Sequence, residues 1–378
     1  MVALTIIISA VVAAAVPGDA VPHRIDALPL ARIWSKSLDG PAPIAAASES
    51  TRLLAGWPDH FDVFSLETGE KEWGLPVPAA RAACDAMFCV VADDATVRGI
   101  DLARRAVRWQ RTLDQPLGQT PALRNGWVIL ASRTGDVRAL QAADARDVWT
   151  FNAGAALTGA PSINGNQIAI ATVSSQVTLL DLSNGHPVWT VTLEHVPGAP
   201  RLGGGRVLVG TENGRLAILD DTDGRLRFET RTGGNVTGAP TLDERHIYTV
   251  GQDGVLRAFD RGNGAQRWYG NLSTRASDGP SVDGDLVFVP LRSGAIDVRL
   301  NDGKAVVQLA APGGETTRLP MAPVLTGAGA TLSILTVSYD LSDTGKWALV
   351  RYANSARLVT SALPSRIPGH SLTLTAPQ

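Results

Sequence analysis

Three carboxylates in the segment LDDTDGR are the residues of this chain best placed to do chemistry. Asp220, Asp221 and Asp223 offer oxygen ligands of the kind that a calcium ion prefers. A calcium loop of this type also needs a more distant glutamate at a fixed spacing, and the chain has none at that position. Aspartate and glycine are equally the ordinary residues of a tight turn. We therefore interpret the segment as a turn and predict no metal site there.

Histidine and cysteine, which also hold metals or act in catalysis, are scarce. The histidines show no pair at metal-ligand spacing: His23, His60, His186, His195, His246 and His370. Cys84 and Cys89 lie in AACDAMFCVV and form a disulfide if residues 81–84 and 88–92 pair as a hairpin in an oxidising compartment. Two small buried residues are the alternative. The sequence therefore predicts no catalytic, cofactor-binding or metal-binding residue and no cofactor.

Composition and charge exclude several classes of partner. The chain has 378 residues, with Lys+Arg 34 against Asp+Glu 36 and a net charge of −2. This balance creates no basic field for nucleic acid or for an anionic membrane surface. The hydrophobic fraction of 44% supports a full core. We expect a folded protein that binds no nucleic acid.

The amino-terminal segment 1–20 is predicted to be a secretory signal peptide. Its apolar stretch, residues 4–16, is shorter than the ~20 residues that span a bilayer. Small residues at Gly18 and Ala20 suit a signal peptidase. The alternatives are an uncleaved anchor and a wrongly assigned start codon, because no Lys or Arg lies near Met1. Residues 21–30 are predicted to be a linker, and residues 363–378 a carboxyl-terminal tail.

The elements that must position all these residues recur along the chain. A large side chain, usually Trp, returns at steps of 39, 36, 40, 40, 39, 40 and 39 residues: Trp34, Trp73, Trp109, Trp149, Trp189, Phe228, Trp268 and Val307. Four residues earlier there is often a glycine: Gly69, Gly185, Gly224, Gly264 and Gly303. Eight residues earlier come Ser65, Asp101, Gln141, Asp181, Asp220, Asp260 and Arg299. Asp220 is thus one copy of a repeated turn, where an aspartate can accept bonds from turn amides.

Each repeat has the pattern of short paired strands. In GQDGVLRAFDRGNGAQRW, residues 251–268, two-residue alternation is followed by a turn and a second strand. Prolines mark the start of most units: Pro43, Pro121, Pro161, Pro200, Pro240, Pro280 and Pro323. Four strands in a period near forty residues are typical of a propeller blade. The aromatic side chain is expected to fill the gap between neighbouring blades.

We therefore predict an all-β fold, an eight-bladed β-propeller of four-stranded antiparallel blades over residues 31–362, with seven blades as the alternative. Residues 31–38, which contain Trp34, are expected to join the last blade and close the ring. Residues 356–363 could compete for that position. The last unit is irregular, and we expect an insertion at residues 338–345.

The most regular units resemble the PQQ-like β-propeller repeat family: TENGRLAILDDTDGRLRF (211–228), GQDGVLRAFDRGNGAQRW (251–268) and SSQVTLLDLSNGHPVW (174–189). Within that family the chain is most similar to the BamB group. The resemblance implies a non-catalytic periplasmic scaffold that docks on the barrel-inserting subunit and helps nascent outer-membrane proteins reach it. BamB proteins are typically lipoproteins, and no acceptor cysteine lies near residue 20 here, so the resemblance does not extend to a lipid anchor.

The resemblance also brings two alternatives. One is a PQQ-dependent oxidoreductase, although the adjacent cysteines that such enzymes often carry are absent here. The other is a ligand-binding or sensor propeller. For the scaffold we expect protein partners, namely barrel-assembly subunits or nascent outer-membrane proteins. These would bind interblade loops and exposed strand edges. Membrane association is expected only through partners or through an uncleaved amino-terminal segment.

Overall fold

The computed structural model describes residues 30–49, 51–293, 295–309, 324–326, 333–340 and 346–354. All the regular elements in these residues are strands, in eight antiparallel sheets of four. The all-β prediction and the count of eight blades are therefore confirmed.

Seven blades are built from consecutive strands, numbered from the strand nearest the axis outward. The first has β2 (Ala45–Glu49), β3 (Arg52–Gly56), β4 (Phe61–Ser65) and β5 (Lys71–Leu75). The second has β6 (Arg81–Cys84), β7 (Phe88–Ala92), β8 (Thr96–Asp101) and β9 (Ala106–Thr112). The third has β10 (Ala122–Arg124), β11 (Trp127–Ala131), β12 (Asp136–Gln141) and β13 (Asp147–Asn152).

The next four blades repeat this order. The fourth has β14 (Ser162–Asn164), β15 (Gln167–Ala171), β16 (Gln176–Asp181) and β17 (Pro187–Thr192). The fifth has β18 (Arg201–Gly203), β19 (Arg206–Gly210), β20 (Arg215–Asp220) and β21 (Leu226–Arg231). The sixth has β22 (Val236–Leu242), β23 (His246–Gly251), β24 (Val255–Asp260) and β25 (Gln266–Asn271). The seventh has β26 (Ser281–Asp283), β27 (Leu286–Pro290), β28 (Ile296–Leu300) and β29 (Ala305–Leu309).

The eighth blade joins the two ends of the chain. Its order is β30 (Val324–Thr326), β31 (Ser333–Asp340), β32 (Lys346–Asn354) and β1 (Leu30–Ser37). Strand β1 runs antiparallel to β32, from Leu30 opposite Asn354 to Ser37 opposite Ala348. The expected closure by the Trp34 segment is confirmed. Residues 356–363, the alternative for this position, lie outside the described residues.

One detail of the last unit was predicted wrongly. Residues 338–340 belong to β31 and not to an insertion, because Ser338, Tyr339 and Asp340 pair with Ala348, Trp347 and Lys346. The antiparallel pairing of β31 with β32 continues as far as Asp340 opposite Lys346. Residues 341–345, like Pro323, lie outside the described residues.

The core lies between the blades. The five residues of β7 are all buried, and so are those of β27. Such continuous burial arises because both faces of a central strand are covered by neighbouring blades. Between the second and third blades, Val90, Leu117, Val128 and Leu140 form one apolar cluster. The first strands of neighbouring blades also touch, and β2 contacts both β6 and β30, which completes the ring.

Candidate functional site

The turn between the third and fourth strands of a blade, here called the rim turn, holds the repeated aspartate. Asp220 accepts hydrogen bonds from the Thr222 backbone at 2.9 Å and from Arg227 Nε at 2.8 Å. The Thr222 bonds and the Arg227 guanidinium together hold the pKa of Asp220 far below its usual range. The turn interpretation of this residue is therefore confirmed.

The other two carboxylates of LDDTDGR do not join Asp220 in a ligand set. Asp223 accepts a hydrogen bond from the Arg225 backbone at 3.0 Å, within its own turn. Burial, and then the neighbouring charge of Asp220, raises the pKa of Asp221. Within the described part of the chain, no three His, Cys, Asp or Glu side chains converge in a way that could hold a metal ion.

The same clamp recurs in other blades. Asp260 accepts from the backbones of Gly262 at 2.8 Å and Asn263 at 3.0 Å, and from Arg267 Nη2 at 2.6 Å. Asp101 accepts from the Arg104 backbone and is paired with Arg108. An aspartate that is fully occupied by its own turn is not available to act as a base or a ligand.

The tryptophans join each blade to the next one. The indole Nε1 of Trp149 donates to the Leu182 carbonyl at 2.7 Å, in the rim turn of the following blade. Four others make the equivalent bond: Trp34 to Leu66, Trp109 to Ala142, Trp189 to Asp221 and Trp268 to Asn301. The predicted role of these side chains between blades is confirmed.

The packing of the tryptophan ring against the next rim turn also explains the glycine in that turn. Gly185 has φ 72°, and a Cβ there would lie 2.5 Å from the Trp149 ring. Two blades lack this glycine and instead hold Arg105 and Ala145 at φ 56° and 57°. Backbone in this region is unfavourable for a residue with a Cβ. These two turns therefore keep the conformation without the residue that suits it best.

In the described part of the chain, Trp73 lacks the hydrogen bond to the next blade that the other repeat tryptophans make. The buried Nε1 of Trp73 finds no hydrogen-bond partner among the described residues. Its ring meets the edge of Phe61 at 5.7 Å, and the rim turn of the next blade is the one that carries Arg105. Val307 occupies the last aromatic position, opposite Val298, and is 37% exposed.

The cysteines and histidines are placed apart from one another. Cys84 and Cys89 form a disulfide across the β6–β7 hairpin, with Cα atoms 4.0 Å apart. His60 stacks on Trp57, with ring centroids 4.7 Å apart. The other histidines of the described residues lie in the rim turn of the fourth blade, in the connection to the fifth blade and in β23 of the sixth blade: His186, His195 and His246. His23 and His370 fall outside the described residues. The described histidines and cysteines do not converge on a common site.

A surface feature missed by the sequence analysis lies one residue before the repeated aromatic. The outer strands bulge here, so that this residue has no partner on the third strand. Three blades place an arginine at the bulge, paired with the turn aspartate: Arg108, Arg227 and Arg267. Two neighbouring blades carry valine instead, and Val148 and Val188 are 36% and 46% exposed.

Val148 and Val188, here called the valine patch, lie on outer strands with a free edge. Strands β13 and β17 each pair on one side only, with β12 and β16. A free edge presents unpaired backbone N–H and C=O groups to an incoming chain. The sequence signal was present, since VW stands at 148–149 and 188–189 where RW or RF stands at 108–109, 227–228 and 267–268, but its meaning depends on the bulge.

Comparison with known families gives this geometry its context. Residues 93–203 and 173–340 match the family described as "Outer membrane protein assembly factor BamB". Together the two matches cover well over half of the chain. The chain belongs to the BamB family. The PQQ-like, BamB-type resemblance of the repeats is thereby confirmed. No curated protein matches the sequence significantly.

Solved structures share the architecture of the family. The crystal structure of BamB from Moraxella catarrhalis superposes with a TM-score of 0.68 at 18% identity, over 86% of this chain and 99% of that one. Sqt1 from Saccharomyces cerevisiae gives 0.68 at 12% identity, over 86% and 98%. The computationally designed protein Ika8 gives 0.66 at 14% identity, over 83% and 98%. At such identities these likenesses show the fold alone.

The described residues contain no helix that is long and apolar enough to span a membrane.

Proposed function

We propose that this chain is a non-catalytic, BamB-like scaffold that is exported to the periplasm and binds protein partners there. It assists the assembly of outer-membrane β-barrel proteins by docking on the assembly subunits or on the nascent chains. Family membership supports this proposal. So does the structural use of the repeated polar residues, because the aspartates of the rim turns are already occupied by their own turns.

The valine patch carries the proposal. An Arg–Asp pair occupies the bulge in the second, fifth and sixth blades, but the third and fourth blades expose valine there. Apolar side chains on two adjacent free edges suit a protein partner that pairs with a strand edge and covers the valines. Covering each half-exposed valine would contribute on the order of 1 kcal/mol.

A substitution that copies the sister blades tests this assignment. Val188→Arg gives the fourth blade the Arg–Asp pattern of its neighbours, because Asp181 is already present in its rim turn. The fold should therefore be preserved while the patch becomes charged. We expect the wild-type chain to recover barrel-assembly subunits from envelope extract, and Val188→Arg to recover at least several-fold less.

Tyr269→Arg is the matched control, since Tyr269 is 65% exposed on the outer strand of the sixth blade. It should pull down as much as the wild-type chain. Equal recovery with Val188→Arg would remove the patch from the proposal. Repeated absence of assembly subunits with the wild-type chain would overturn the scaffold function itself.

A second measurement separates the scaffold from a quinoprotein oxidoreductase. Purified protein is mixed with pyrroloquinoline quinone and Ca²⁺ and then passed through gel filtration. For a scaffold, the quinone absorbance elutes apart from the protein. Co-elution with the protein, together with reduction of a dye when an alcohol or a sugar is added, would contradict the non-catalytic proposal.

A further inference from the structure

A cavity of about 1000 Å³ opens where the turns between first and second strands meet around the axis of the ring. These turns are here called the axial turns. Arg124, Asn164 and Arg201, from the third, fourth and fifth blades, line one side of the cavity. The other side is lined from the sixth and seventh blades by four carboxylates and two further arginines: Asp243, Glu244, Asp285, Asp302, Arg245 and Arg261. The cavity is therefore basic on one wall and mixed, with an excess of carboxylates, on the opposite wall.

The two arginines are not neutralised by the protein. Arg124 Nη1 has a single long hydrogen bond, to the Ile163 carbonyl at 3.4 Å. No carboxylate of the described residues forms an ion pair with Arg124 or Arg201. Arg201 is exposed to the cavity, but the cavity wall around it excludes part of its hydration water. This partial burial, and then the like charge of Arg124, lowers the pKa of Arg201.

The acidic wall does not reach across to them. Asp243 accepts hydrogen bonds from the backbones of Arg245 and His246 and from the Tyr248 hydroxyl at 2.5 Å. Asp285 accepts from Asn301 Nδ2 at 2.7 Å. Both carboxylates are thus held by their own blades. The guanidinium groups of Arg124 and Arg201, on the opposite wall, therefore keep N–H donors that are available to a ligand.

The architecture does not require an arginine at either position. Arg201 follows the proline that opens its blade, and the residue after the equivalent proline is small in four other blades: Ala122, Ser162, Thr241 and Ser281. The place of Arg124 at the end of its first strand is taken by Asn164 and Gly203 in the next two blades. Neither position therefore needs an arginine for the blade to form.

We propose that the axial cavity binds a small molecule bearing a carboxylate or phosphate group, held between Arg124 and Arg201. A guanidinium donates two parallel hydrogen bonds to such an oxyanion, and the bonds are strengthened by charge. The anion also relieves the repulsion between the two cations. The site is separate from the valine patch, so it goes beyond the scaffold function and does not depend on it.

Calorimetric titration of the full chain at low salt tests the site. The probes are citrate for carboxylates, pyrophosphate for phosphates and a hexaglutamate peptide for acidic polypeptides. We expect citrate or pyrophosphate to bind, and the tighter of the two identifies the oxyanion class. Arg201→Gln and Arg124→Gln should each weaken that binding by about tenfold or more.

Arg231→Gln is the matched control, because Arg231 is an exposed arginine on an outer strand. It should bind the probes as the wild-type chain does. Equal binding by Arg201→Gln and the wild-type chain would overturn the proposal, as would a wild-type chain that binds neither small anion or only the peptide. Circular dichroism of each variant shows whether it is folded, and we expect no loss of stability in Arg201→Gln.

Discussion

The rim turns and the axial turns lie on the same face of the ring, yet they differ in kind. The rim turns repeat one set of contacts, with an aspartate on turn amides and a tryptophan from the preceding blade over the turn. The axial turns share a hairpin shape but not their side chains: a disulfide closes one, and Arg124 and Asn164 end the first strands of the next two. What repeats holds the ring together, and what differs is available for binding.

The largest effect should come from the rim. Trp149 is 8% exposed and bonded to the next blade, so Trp149→Ala removes both packing and a hydrogen bond. We expect a loss of about 3–5 kcal/mol in the free energy of unfolding, measured by urea denaturation. Val173→Ala, at a 53% exposed side chain, is the control and should change little. A loss no greater than in the control would show that Trp149 does not hold neighbouring blades together.

The rim aspartate gives the next effect, and it depends on pH. Because the pKa of Asp220 is depressed in the folded state, its stabilisation is present above the unfolded pKa of ~3.9 and is lost as the pH falls below that value. Asp220→Asn should therefore destabilise the protein at pH 7, by less than Trp149→Ala, and the difference from wild type should narrow by pH 3.

Chemical denaturation at both pH values measures this difference. Asp114→Asn is the control, since the Asp114 side chain is 89% exposed. A gap between Asp220→Asn and wild type that stays constant or widens on acidification would show that the charge of Asp220 is not what the turn uses.

A third test compares two tryptophans of the same repeat position. Trp149→Phe loses the bond to the Leu182 carbonyl, whereas Trp73→Phe removes an indole N–H that has no partner among the described residues. Both variants lose similar ring volume. We expect Trp149→Phe to be the more destabilising by about 1 kcal/mol or more. Equal losses would mean that packing alone accounts for the interblade contact.

Much of the rim was predictable from the sequence, because local chemistry and a fixed period specify it. The phase of Trp149 and of Asp220 followed from spacing, and so did the closing strand, since Trp34 stood one unit before the first complete repeat. The strand at residues 338–340 was missed, because an irregular last unit gives no period from which to extend the register.

The two surfaces proposed to bind ligands were hidden from the sequence for a different reason. The valine patch depends on a bulge that turns one residue out of the ladder, and alternation along a strand does not reveal a bulge. Arg124 and Arg201 are 77 positions apart in the chain and face one cavity only once the ring has closed. The disulfide required a distance that spacing alone does not supply.

A smaller effect should come from a rim turn that lacks its glycine. Ala145 holds φ 57°, so Ala145→Gly relieves backbone strain and is expected to stabilise the protein by up to about 1 kcal/mol. Ala143→Gly, in the same turn but without positive φ, should destabilise slightly because glycine has more freedom in the unfolded chain. Thermal unfolding of both variants measures whether each substitution raises or lowers the stability of the protein. A shift of the same sign in both would contradict the strain argument.

The smallest effect compares two asparagines of one axial turn. Asn166 Nδ2 donates to Asp181 Oδ2 at 2.9 Å and so ties this axial turn to the rim turn, while Asn164, two residues earlier, lines the axial cavity. Asn166→Ala should cost about 0.5–1 kcal/mol, and Asn164→Ala should stay within about 0.5 kcal/mol of wild type. Replicate urea denaturation curves of the two variants measure this difference. If Asn164→Ala costs as much as Asn166→Ala, the residues that line the cavity also support the fold, and their variation from blade to blade no longer points to binding.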